Sequence, residues 1–161
     1  MESNLLPVAD AIAARLAAVI TPTVPTAEVR VTWFGGRFDV KTTTGLKVYI
    51  WPIGDEPGPI AEGGNRRAQP LLYRYVLSFS ERLPSTVQEF DARDAWVRER
   101  VGLVGQCREV LDNPRQFALP GLEAFGLAPV DSGERLAADL EDLNTPGLFS
   151  SGFNLTIRED A

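Results

Sequence analysis

Two glycines and two arginines, Gly63, Gly64, Arg66 and Arg67, fall within the short stretch "EGGNRRAQ". Glycines let a backbone come close to an anion and guanidinium groups grip one, so the stretch has the ingredients of a phosphate cradle. It lacks the Lys-Ser/Thr pair of a P-loop, and no helical pattern opens directly after it. The preferred reading is a solvated loop that meets a partner, with Gly63, Gly64, Asn65, Arg66 and Arg67 as candidate contact residues. Asp139, Glu141 and Asp142 could offer oxygen ligands to a hard cation, but the stretch has neither the alternating ligands nor the turn glycine of an EF-hand. They read as a solvated face, and no metal site is expected.

Cys107 is the only cysteine and the chain has no histidine. An internal disulfide, Ser-His and Cys-His pairs, an imidazole base and imidazole metal ligands are therefore excluded. Cys107 sits on an apolar helical stripe, where a thiol usually serves as a small buried hydrophobe. Trp33, Trp51 and Trp96 fall at strand and helix positions that suit core packing better than an aromatic cage. Asn154 begins a formal glycosylation sequon, "NLT", inside a strand pattern. No catalytic set emerges, so neither an enzyme nor a cofactor is expected.

The 161 residues, 44% hydrophobic and 24% charged, have the size and composition of one globular domain, 1–161. With 22 acidic and 16 basic residues the net charge is −6, which repels nucleic acid as a whole-molecule field. No apolar run approaches the roughly twenty residues that span a bilayer, and the start "MESNLLPVAD" carries no secretory pattern. The expectation is a soluble protein that stays in the cytoplasm where it is made.

Periodicity supplies the elements that must hold these residues. With Asn4 as the expected cap and Pro7 in the first turn, Ile12, Leu16, Val19 and Ile20 share one helical face. "EVRVTWF" alternates, with Val29, Val31 and Trp33 expected inward. "LKVYIWPI" reads as a strand, and "LLYRYVLSFSERL" as another with Tyr73, Tyr75, Leu77 and Phe79 on one face. Between these two, residues of about 55–70 form an expected long loop, too long and too rich in Pro and Gly for a tight hairpin. Its arginines are expected to order against acidic groups of a neighbour only on assembly.

A second long helix places Trp96, Arg100, Leu103, Cys107 and Leu111 near one stripe, opens on Asp91 and Asp94, and stops at Asn113 and Pro114. "GLEAFGLAPV" offers a short strand, "DSGERLAADLEDLN" a polar helical turn or structured loop, and "GLFSSGFNLTIRED" a last strand with Phe149, Ser151, Phe153, Leu155 and Ile157 inward. The order implies an α+β domain: a mainly antiparallel sheet of about four to five strands with two long helices packed on one face. Leu16, Trp96 and Phe153 are expected to be buried together. The sheet must leave open edges, which an interaction protein would exploit.

Taken along nearly the whole chain, the amphipathic first helix, the strand "KVYIWP" ending in proline, the long loop, "YRYVLSFSERL", the helix from "DARDAWVRER" and the late "FSSGFNLTIR" resemble the tail-completion or tail-terminator proteins of long-tailed bacteriophages. The nearest points are Val48 to Pro52 and Phe149 to Arg158. The resemblance implies a structural virion protein, assembled in the host cytoplasm, that forms a ring with itself, expected to be a hexamer. The ring would cap the tail tube, dock the head-side connector or head-completion protein, and let DNA pass without sequence-specific binding. A neck or head-closure protein is the alternative of the same class; a small phosphate-binding enzyme and an adaptor domain are the others.

Overall fold

The computed structural model describes residues 3–33, 45–60, 63, 69–130, 135–136, 139, 143 and 147–160. Helix α1 (Leu5–Ile20) is followed by strands β1 (Glu28–Val31), β2 (Lys47–Pro57) and β3 (Leu71–Arg82). Helix α2 (Phe90–Asp112), a 3-10 turn (Glu123–Phe125), and strands β4 (Leu127–Val130), β5 (Arg135–Leu136) and β6 (Leu148–Glu159) complete the order. The sheet runs β1-β2-β3-β6-β4, and β5 also lies on β6. It is therefore five strand positions wide, with β4 and β5 sharing the last.

The sheet is mixed. β1 runs parallel to β2, and the remaining pairings are antiparallel. A chain of residues 32–46 between β1 and β2 is long enough to cross over, which a tight hairpin could not do. Of the two helices only α2 is long, at 23 residues; α1 has 16. Residues 135–136, read from sequence as part of a polar turn, instead extend the β4 edge: Arg135 lies opposite Phe153 and Leu136 opposite Gly152.

Both helices cover the same face, α1 over β1 and β2, α2 over β6 and β4. Val8, Ala9, Ile12, Leu16 and Ile20 recur every three or four residues along α1 and all are buried. Leu103, Val104, Cys107 and Leu111 do the same for α2. They meet the period-two set of Tyr73, Tyr75, Leu77 and Phe79 on β3 and Phe149, Phe153, Leu155 and Ile157 on β6, all buried. Phe79 and Phe153 stack across neighbouring strands, centroids 6.0 Å apart.

Three expectations about packing need correction. Asn4 stands at the N-cap of α1 but makes no side-chain cap hydrogen bond; its amide donates instead to Glu159 Oε1 at 2.8 Å. Leu16 and Phe153 belong to one core, whereas Trp96 is only partly buried and stands edge-on to Phe149 at 6.0 Å. Trp33 is 56% exposed rather than inward.

Trp33 is exposed just past the end of β1. Thr32 N–H donates to the Ile50 carbonyl at 3.0 Å. The next bond of a parallel ladder would come from the backbone nitrogen of residue 52, which is proline and has no hydrogen to give. Pro52 therefore terminates the β1 ladder, and Ile53, just beyond it, is the extra residue where the β2–β3 register shifts between Pro52 and Gly54.

Candidate functional site

The arm of the expected loop is sheet. Asp55, Glu56 and Pro57 pair with Tyr73, Leu72 and Leu71, so β2 and β3 form a hairpin whose connection spans only residues 58–70. The long apolar run at Leu71–Phe79 recruits the polar residues opposite it, because an antiparallel partner satisfies their backbone groups regardless of side chain. Beyond the strands, Gly58 N–H donates to the Pro70 carbonyl at 2.8 Å and Gln69 Nε2 to the Gly58 carbonyl at 2.6 Å. The stem is close-packed: a Cβ on Gly58 would lie 3.0 Å from Pro70 Cγ. Of the candidate contact residues, Gly63 is exposed with φ +78°, a value that favours glycine. Gly64, Asn65, Arg66 and Arg67 lie outside the described residues, as do Glu141 and Asp142.

The face of the sheet opposite the helices presents Glu28 and Arg30 from β1, Lys47 and Tyr49 from β2, and Arg74 and Val76 from β3. Lys47 Nζ and Arg30 Nη1 both reach Glu28, at 2.8 and 3.2 Å, so one carboxylate answers two cations. Lys47 hydrogen-bonding, followed by that of Arg30, outweighs desolvation and holds the Glu28 carboxyl below its ordinary range. Arg74 pairs with Glu56 across the hairpin. On the rim of this surface Trp33 and Ile53 are 56% and 52% exposed.

The other protruding feature is the start of α2. Residues 88–95 are all exposed, and Phe90 is 83% so. Arg100, ten residues on, is the point where α2 locks to the sheet: its Nε donates to both oxygens of buried Glu81, at 2.9 and 3.2 Å. Trp96 and Val97 still pack against the core, so at 1.5 Å per residue Phe90, six residues before Trp96, lies about 9 Å past the last inward contact. Phe90 stands seven residues before Val97 and fourteen before Val104, which pack on the core, so helical spacing alone does not mark it as exposed; its exposure comes from its place in the first turn of α2.

Cys107 is fully buried, and burial pushes its thiol up to about 12. Asn154 is exposed within β6. Among the described residues no group of three or more His, Cys, Asp or Glu is gathered to hold a metal ion, and no helix is long and apolar enough to cross a membrane. No protein-family model matches the chain, and no curated protein matches it.

Proposed function

We propose that the chain is a structural subunit of a long-tailed bacteriophage, a tail terminator that assembles with itself into a ring, caps the tail tube and offers a docking surface to the head-side connector. The observation that carries this reading is the one-sided construction of the domain: both helices cover one face, while the opposite rim displays Trp33 and Ile53 and the far end displays Phe90. Large exposed apolar side chains on a small α+β domain suit a subunit that is completed by neighbours. The order of elements from α1 through β6 supports the same assignment, since it agrees with the sequence pattern on which the resemblance to tail terminators rests.

The test is genetic. Removing the gene from a phage genome that carries it should give heads and tails that fail to join, or tails of abnormal length, and the intact chain supplied in trans should restore infectious particles. Normal particles in its absence overturn the assignment.

A further inference from the structure

We propose that Phe90, with Glu89 and Asp91 on either side, is a knob that docks onto the β1–β2 rim of a second copy of this chain, against Trp33, Ile53 and Arg30. The inference rests on the ring-subunit reading and supplies the contact that such a subunit would use.

The knob is defined by exposure and charge together. A phenylalanine 83% open to solvent on an overhanging helical turn has no packing role in its own molecule. Asp94 is paired with Arg98 at 2.9 Å, whereas Glu89 and Asp91 form no ion pair among the described residues. The knob therefore offers an aromatic ring flanked by two unanswered carboxylates.

The rim is the complement. Trp33 and Ile53 supply apolar area, and they stand where Pro52 has ended the parallel ladder. Arg30 and Lys47 share the single carboxylate of Glu28, which leaves one cation in surplus, and the Arg30 side chain is 60% exposed. Arg30 lies three residues before Trp33, roughly 10 Å along an extended chain. Strand addition to β2 past the end of β1 is disfavoured, because Pro52 and the register shift at Ile53 break its row of backbone donors. A side-chain knob does not need that row.

Knob and rim occupy different parts of one molecule. α2 is seated on β6 and β4, at the opposite side of the sheet from β1. A contact between two such unlike surfaces is head-to-tail, and it repeats from copy to copy until it closes into a ring or continues as a filament. A second copy is favoured over a foreign partner because the acidic aromatic knob and the basic apolar rim are both present on this chain and complement each other.

Sedimentation and light scattering on the purified full-length chain test the contact with two single variants, Phe90→Asp and Trp33→Asp. Both positions are exposed, so each variant should melt near the wild-type temperature; Phe90→Ser, which adds no charge, serves as a second knob variant. Wild type should self-associate, and each variant should weaken that association at least about tenfold. An equimolar mixture of Phe90→Asp and Trp33→Asp should give a one-to-one dimer and nothing larger, because one intact knob then meets one intact rim. A mixture that stays monomeric, or Phe90 variants that associate like wild type, overturns the contact. A wild-type chain that remains monomeric at concentrations on the order of millimolar overturns it as well. None of these results touches the genetic test: a phage that still needs the chain would keep the tail-terminator reading while losing this interface.

Discussion

Arg100 is held in three ways at once. Its guanidinium grips both oxygens of Glu81, lies 5.1 Å from the centre of the Trp96 ring, and also reaches Glu99 at 3.3 Å. Glu81 is 5% exposed, so it has little water to fall back on. Removing one member of a buried pair leaves the other as an uncompensated charge, whereas replacing both with apolar groups removes the desolvation penalty as well. Arg100→Ala should therefore destabilise the fold by about 3–5 kcal/mol in urea unfolding, and the double replacement Glu81→Leu with Arg100→Met should recover most of that loss. A double variant as unstable as Arg100→Ala would show that the pair itself, and not the stranded carboxylate, is what matters. Trp96→Ala removes the ring beneath Arg100 and its edge contact with Phe149. Because Trp96 is only partly buried, the expected loss is about 2–4 kcal/mol, toward the lower part of the range for large-to-small aromatic truncations.

At the level of elements, the period-two strands and period-3.6 helices were legible because side chains in them answer to a single core. Tyr73, Tyr75, Leu77 and Phe79 alternate with Arg74, Val76 and Ser78, which face away, and Leu103, Cys107 and Leu111 recur at helical spacing. What periodicity does not carry is pairing. The parallel register of β1 with β2 depends on the crossover, and the true end of β2 depends on Leu71 and Leu72 opposite it, not on Asp55–Pro57 themselves. The exposed rim was hidden for the same reason: Trp33 looks inward by alternation, yet the pairing of β1 stops before it, and it stands exposed. Close strand approach is likewise invisible in one strand alone. A Cβ on Gly152 would sit 2.5 Å from the Leu77 backbone oxygen, so β6 and β3 must part or shift to admit any side chain there. Gly152→Ala should lower stability by about 1–3 kcal/mol, as overpacking does, while Ser150→Ala on the same face should stay within about 0.5 kcal/mol. Equal melting temperatures for the two variants would mean that the strands can separate at little cost.

At the scale of the whole molecule, the two ends of the described chain are joined through the middle. Asn4 N–H donates to the Tyr73 hydroxyl at 3.2 Å, the Asn4 amide donates to Glu159, and the Tyr73 hydroxyl also donates to Glu159. Two residues along the same strand, the Tyr75 hydroxyl donates to the Leu5 carbonyl at 2.9 Å, fastening the first turn of α1 to the sheet. The two tyrosine hydroxyls must keep their protons to donate these bonds. Burial, and then the Glu159 contact, push Tyr73 from 10.0 up to about 12; burial raises Tyr75 as well, and lifts the Cys107 thiol from 9.0 to about 12. Each of them therefore holds its proton in the folded state at a pH where the unfolded chain has already released it. The unfolded state then binds fewer protons than the native one, and stability falls as pH rises. The contribution of Cys107 is complete below about pH 9 and is lost between about 9 and 12, and that of Tyr73 is lost between about 10 and 12. Urea midpoints should accordingly be insensitive to these groups near neutral pH, begin to fall above about pH 9, and fall more steeply above about pH 10 as Tyr73 and Tyr75 join. Cys107→Ala should move the onset to about pH 10 whatever it does to the midpoint at neutral pH. An onset unchanged by that substitution would mean that the thiol titrates alike in both states, and a midpoint flat to pH 12 would remove the buried, neutral Tyr73 hydroxyl from the link between the two ends of the chain.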